Sequence, residues 1–212
     1  MNRPLSLLSS LASVIVLTSQ IDAREVNIEK GVPYIDVTVN HKTIRIERIQ
    51  DTSHKLKNSY SKTSRPAPPF SIQPFQPIEG IETISELEVM DFMKNNLDNG
   101  NGKLIDARIP RWYAAGSLPF ASNIPFPLLS PKEDKNTLAK ILALLKVEST
   151  DKGFNFQKAQ DLVIFANGPW CQQSVRAMEN LVEIGYPKSK IRYYRGGMQY
   201  WQILGLNTVI PK

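Results

Sequence analysis

The order of elements along this 212-residue chain predicts an α/β fold with a central, mostly parallel sheet flanked by helices. Three observations predict it. Short apolar runs at residues 103–107, 162–166 and 191–194 read as buried strands. Between them lie longer stretches whose apolar residues recur at helical spacing. Turn residues such as Asp98-Asn99-Gly100-Asn101-Gly102 separate the two kinds. Strands that alternate with helices are joined by crossovers, and crossovers favour parallel pairing.

The first 23 residues read as a signal peptide. Arg3 supplies the positive start, residues 5–17 are mostly apolar, and Ala23 is a small residue suited to cleavage. The apolar stretch is short for a bilayer span, and an uncleaved anchor is the alternative. The expected mature chain starts near Arg24, is periplasmic or secreted, and keeps no stable membrane anchor. Cleavage would remove Arg3 and Asp22 together, so the formal charge of +6 is unchanged. Lys and Arg are scattered among acids, which reads as a solvated surface rather than a nucleic-acid face. Cys171 is the one cysteine, so no internal disulfide can form. With His41 and His54 as the only histidines, no zinc cluster is expected, and no cofactor is.

Residues 24–50 read as a small β-hairpin. Ile35, Val37 and Val39 alternate with polar residues, as do Ile44 and Ile46 after Asn40-His41-Lys42. Two strands alone are marginally stable, so the hairpin should dock on the main domain or on a partner. Residues 51–80 carry Pro66, Pro68, Pro69, Pro74 and Pro77 and read as an extended connector. Phe70, Ile72 and Phe75 imply that its second half lies on a surface.

The main domain is expected over residues 81–212. Ser85 and Glu88 form a capping box for a helix through Leu97, with Leu87, Met90, Met93 and Leu97 as its apolar side. Residues 137–146 read as a helix with Leu138, Ile141, Leu142 and Leu145 on one face. Residues 171–184 read as another, closed by Gly185. A short helix over 198–204 ends at Gly205. Trp201 and Tyr113 are expected in the core, the latter with its hydroxyl bonded.

Three segments now resemble the rhodanese family of sulfurtransferases. Leu104-Ile105-Asp106-Ala107-Arg108, followed by Tyr113, Gly116, Leu118-Pro119 and Asn123-Ile124-Pro125, is similar to the family's strand and the run after it. Val163-Ile164-Phe165-Ala166-Asn167-Gly168-Pro169-Trp170-Cys171 is similar to its strand and active-site loop. Tyr194-Arg195-Gly196-Gly197-Met198, with Trp201, Gly205 and Leu206, is similar to its closing segment. The resemblance covers about residues 81–210.

The resemblance implies a loop that cradles a cysteine thiolate. Inward N–H groups and a helix N-terminus would stabilise the thiolate, then the persulfide formed when thiosulfate or a similar donor hands over sulfur. The family's nucleophile position is occupied here by Ala166, whose methyl cannot accept sulfur. Asn167, Gly168, Pro169, Trp170, Cys171 and Gln172 would form the anion-binding loop, with Asp106 and Arg108 in support. A phosphatase-like reading fails, because it needs cysteine at 166 and arginine at 172, and the chain has Ala166 and Gln172. Ser117 and Phe120 stand where the family usually has histidine and glycine. Upstream, Ser64-Arg65-Pro66-Ala67-Pro68-Pro69-Phe70-Ser71 resembles a segment of exported bacterial relatives with cysteines at the Ala67 and Ser71 positions.

Three functions follow as expectations. The first is an exported rhodanese-like protein without standard turnover, binding a small sulfur-containing anion or a persulfide-carrying protein. The second is an active sulfurtransferase or thiol-redox protein using Cys171 as a substitute thiol. The third is a cell-envelope interaction module built on the N-terminal segment. The chain shows no nucleotide loop, no Ser-His-Asp pattern and no nucleic-acid motif.

Overall fold

The computed structural model describes residues 25–211, so the signal-peptide reading lies outside the described residues. In chain order the elements are strands β1 (Tyr34–Val39), β2 (Lys42–Glu47) and β3 (Glu82–Ile84), helix α1 (Glu86–Asn96), β4 (Gly102–Asp106), helix α2 (Pro110–Ala114) and β5 (Ser122–Asn123). Helix α3 (Lys135–Ala143), strands β6 (Glu148–Thr150), β7 (Gly153–Asn155) and β8 (Asp161–Phe165), helix α4 (Gln173–Ile184), β9 (Ile191–Tyr194) and helix α5 (Gly197–Ile203) complete it.

The main sheet has five strands in the order β3-β9-β8-β4-β5, and every pair in it is parallel. Its central strand shows why the apolar runs are continuous. In β8, Leu162 and Ile164 join one buried cluster and Val163 and Phe165 the other. Side chains alternate across a strand, so a sheet covered on both faces needs apolar residues at every position. One cluster holds α3 and α4 through Leu138, Leu142, Ala177, Met178 and Leu181. The other holds α1, α5 and the hairpin through Met93, Trp201, Val37 and Ile46.

The hairpin docks on the main domain. Val37 and Ile46 are fully buried, and Asn207 and Gly205 clasp β2 and its end by Glu47 N–H to Asn207 Oδ1 (3.0 Å) and Ile49 N–H to Gly205 O (2.8 Å). Its turn is two residues, not three. Lys42 already pairs with Val39, and Asn40 and His41 take positive φ of 49° and 64°, the geometry that matches the twist of a hairpin.

Several expectations need correction. In α1 the capping box forms, with Ser85 N–H donating to Glu88 at 3.0 Å, but Leu87 is 42% exposed. Val89 and Phe92 are buried instead, so the apolar stripe is turned away from Leu87. Helix α3 starts earlier than expected because the Asp134 carboxylate caps it at Thr137 N–H (2.9 Å). Helix α4 begins at Gln173, so Cys171 lies in the loop and not on the helix. Ile72 and Phe75 face solvent at 87% and 71% exposed; of the three connector aromatics and aliphatics only Phe70 packs, edge-on to Trp170 at 5.3 Å. Tyr113 is half-buried rather than core, with its hydroxyl donating to Ala121 O (3.1 Å).

Candidate functional site

The β8–α4 loop starts at Ala166, the residue after the strand. Ala166 is 2% exposed, and its carbonyl accepts from Met198 N–H at 3.0 Å. Next to it, Asn167 O accepts from Gln199 N–H at 2.9 Å, so the start of α5 holds the start of the loop. That close approach explains Gly197. A Cβ there would sit 2.4 Å from Ala166 O and 2.8 Å from Gly168 N, at φ +54°. The loop closes on itself where Cys171 N–H donates to Gly168 O (2.9 Å), with Gly168 at φ +156°.

A buried ion pair supports the loop from β4. Arg108 forks onto Asp106, with Nε to Oδ1 at 2.8 Å and Nη2 to Oδ2 at 2.5 Å, and both side chains are at most 1% exposed. Ser117, buried at 0%, donates to the same carboxylate at 2.7 Å, and Arg108 Nη2 also reaches Gly116 O (2.7 Å). Such a pair persists in the interior only when its remaining hydrogen-bonding capacity is met. Burial pulls the Arg108 guanidinium down, but its bonds to Asp106 outweigh that and hold it above its ordinary value. Ser117 therefore fills a structural role in this network. Phe120, where the resemblance expects glycine, adopts φ +60°.

Arg108 leads on to the loop through a residue that sequence reasoning missed. Arg108 Nη1 donates to Tyr60 Oη (2.9 Å), and Tyr60 Oη donates to Asn167 Oδ1 (2.8 Å). Asn167 Nδ2 in turn faces Cys171 Sγ at 3.5 Å. Burial pushes the Tyr60 phenol up to about 12, so it stays a donor at neutral pH. Tyr60 comes from the connector, where Asn58 caps a single turn over Ser59–Ser61. No periodicity marks that turn, and only the unusual aromatic in a polar run could have flagged it.

The connector also covers the outer side of the loop. Gln73 N–H donates to Pro169 O (2.8 Å), and Arg195 Nη2 donates to Gln73 O (2.9 Å). The Arg65 guanidinium lies 3.7 Å from the centre of the Trp170 ring. Trp170 Nε1 donates to Gln199 Oε1 (2.6 Å), and Gln199 Nε2 donates to Tyr60 O (3.0 Å).

A cleft of about 310 Å³ opens at this loop, walled by Phe70, Trp112, Phe126, Asn167, Cys171 and Arg176 among others. Cys171 is 3% exposed, and Ala166 is not among the walls. Of the expected site residues, Asn167, Cys171 and Gln172 line the cleft directly. Gly168 shapes the loop, Trp170 anchors the connector, and Asp106 and Arg108 brace Asn167 through Tyr60. Trp112, Phe126 and Arg176 were not foreseen. Among the described residues, no three His, Cys, Asp or Glu side chains gather as a metal site.

Residues 89–204, more than half the chain, match the family model of the rhodanese-like domain. The chain belongs to the rhodanese-like domain family. Solved structures are similar in fold. A rhodanese-related protein from Thermoplasma volcanium is 21% identical, with a TM-score of 0.40 over 61% of this chain and 99% of its own. The human single-domain sulfurtransferase TSTD1 is 25% identical, with a TM-score of 0.40 over 57% of this chain and 95% of its own. A Bacillus halodurans protein is 16% identical, with a TM-score of 0.43 over 60% of this chain and 76% of its own. No curated protein matches the chain by sequence. In this rhodanese-like domain, Tyr60, Phe70 and Gln73 lie outside the matched range yet contact its loop.

Proposed function

We propose that this rhodanese-like protein receives a small sulfur-containing anion, or the persulfide of a partner protein, at the β8–α4 loop without carrying out standard sulfur transfer. The observation that carries the reading is Ala166. It occupies the first loop position after β8, where the family resemblance places the nucleophile, and a methyl group has no lone pair to attack sulfur. The surrounding loop is kept in shape by Asn167, Gly168, Met198 and Gln199. The leader-like residues 1–23 support export to the periplasm or medium.

The test is thiosulfate-to-cyanide sulfur transfer by the purified chain, beside Ala166→Cys and Cys171→Ser. The expected result is a silent parent and a gain of turnover in Ala166→Cys. In that variant the thiolate takes the outer sulfur of thiosulfate, releases sulfite, and passes the sulfur to cyanide as thiocyanate. A parent that turns over and is silenced by Cys171→Ser overturns the reading.

That second outcome is the alternative, favoured by one observation. Cys171 lines the cleft and Ala166 does not. Cys171 would then be the working thiol, with the Asn167 amide beside its sulfur at 3.5 Å.

A further inference from the structure

The cleft at the loop is larger and more apolar than an inorganic anion requires. Ligand sites are concave, chiefly apolar, and carry a few placed polar groups. Here Phe70, Trp112 and Phe126 supply aromatic wall, and Arg176 supplies the cation. The first of these comes from the connector, outside the family-matched range.

The polar groups have spare capacity. Among the described residues Arg176 has no carboxylate within ion-pair distance; its Nη2 donates only to the neutral Gln172 Oε1, at 3.3 Å. Its guanidinium carbon lies 5.8 Å from the centre of the Phe126 ring, so cation and aromatic surface are adjacent. The lining of the cleft holds no carboxylate; Glu133 and Glu179 line an adjoining hollow that shares Phe126 and Arg176 with it. Gln173, also in the wall, has a buried Oε1 with no hydrogen-bond partner. A buried amide oxygen without a partner is costly, and a ligand that presents a donor, or an acceptor to the flipped amide, would remove the cost.

We infer that this cleft takes an organic anion with a flat apolar body, such as an aryl sulfonate, its charge met by Arg176 and its body by the aromatic walls. The inference rests on the loop being an anion-receiving site, and it adds the ligand class. Selectivity for the apolar body depends on Phe70, so the connector acts as a specificity element of the domain.

The experiment is titration of the full chain with benzenesulfonate, methanesulfonate and sulfate, followed by tryptophan fluorescence, since Trp112 lines the cleft and Trp170 lies beside it. Benzenesulfonate is expected to bind about tenfold more tightly than methanesulfonate, because only the former can pack on aromatic wall. Arg176→Gln, at an exposed position, should weaken benzenesulfonate by about tenfold while leaving the melting temperature unchanged. Phe70→Ala should narrow the gap between benzenesulfonate and methanesulfonate and leave methanesulfonate unaffected; an unchanged gap would remove the connector from the inference. Equal affinity for the three anions overturns the inference and leaves the proposed anion-receiving loop standing. Absence of benzenesulfonate binding, or an Arg176→Gln variant that binds as the parent does, also overturns it. The thiosulfate assay judges the turnover reading separately, since a parent that turns over sinks that reading whatever benzenesulfonate does.

Discussion

The hydroxyl of Tyr60 donates to the side-chain oxygen of Asn167 at 2.8 Å, across 107 residues of sequence. The same hydroxyl accepts from Arg108, so a residue of the N-terminal connector closes the link between the buried Asp106–Arg108 pair and the β8–α4 loop. The segment ahead of the family-matched domain is thus a structural part of the site.

Replacing that hydroxyl should be felt at both ends. Tyr60→Phe leaves Asn167 Oδ1 and Arg108 Nη1 without their partner in the interior. The expected loss is about 1–3 kcal/mol in urea unfolding. Asn167 is then free to turn away from Cys171, so alkylation of Cys171 by iodoacetamide in the folded protein should accelerate. Unchanged stability together with unchanged alkylation would show that the link is idle.

Breaking the ion pair itself should cost more. Arg108→Met leaves the Asp106 carboxylate at 0% exposure with Ser117 and the Arg108 amide as its donors. An uncompensated buried charge costs about 3–5 kcal/mol. The unfolding midpoint in urea reads this directly, and a loss under about 1 kcal/mol would mean that water or a rearranged partner takes over.

How much of this was legible follows from how each piece is held. Strands β4, β8 and β9 were legible because burial on both faces makes nearly every residue apolar, as in Leu162-Val163-Ile164-Phe165. Helix α1 was legible through Ser85 and Glu88, two residues that act locally. The two-residue β5 and the hairpin of β6 and β7 were not, since three residues or fewer carry no period. At the site, the loop itself was read from one continuous segment. Tyr60, Trp112 and Phe126 were missed because the return of distant chain brings them there, and Arg176 because it sits on the first turn of α4, past the loop itself. Phe70, Ile72 and Phe75 pointed to a second half that lies on a surface, and it does so through Phe70 and Gln73, while Ile72 and Phe75 stay mostly exposed.

The hairpin should share the cooperativity of the domain. Ile46 is fully buried in the cluster that contains Met93, Val163 and Trp201. Ile46→Ala should cost about 2–5 kcal/mol of global stability. Circular dichroism and tryptophan fluorescence should then lose structure in one coincident transition, at lower denaturant than the parent. A separate early transition confined to the hairpin would contradict its packing into the core.

Two glycines with positive φ should respond differently to alanine. At Gly153, φ is +127° but a Cβ meets nothing within 4 Å, so Gly153→Ala carries only backbone strain of about 1–3 kcal/mol. At Gly197 the Cβ would overlap Ala166 O and crowd Gly168 N, so the loop must move as well. Gly197→Ala should therefore cost more than Gly153→Ala in urea, and it alone should change the Trp170 environment seen by fluorescence. Equal costs would mean that α5 can back away from the loop freely.

Buried phenols set a limit on alkaline stability. Tyr60 and Tyr193 are each pushed up to about 12 by burial, and burial raises Tyr186 and Tyr194 further. In the unfolded chain the same groups ionise near pH 10. Below pH 10 they are protonated in both states, and their contribution does not vary. Between pH 10 and 12 only the unfolded chain releases these protons, so stability falls as pH rises, by at most about 1.4 kcal/mol per pH unit for each tyrosine. Urea midpoints measured from pH 8 to 11.5 should bend downward above pH 10. Tyr60→Phe removes one of the titrating groups, so its curve should start lower and fall less steeply than that of the parent. A Tyr60→Phe curve parallel to the parent's would show that Tyr60 ionises alike in both states, against the burial seen here.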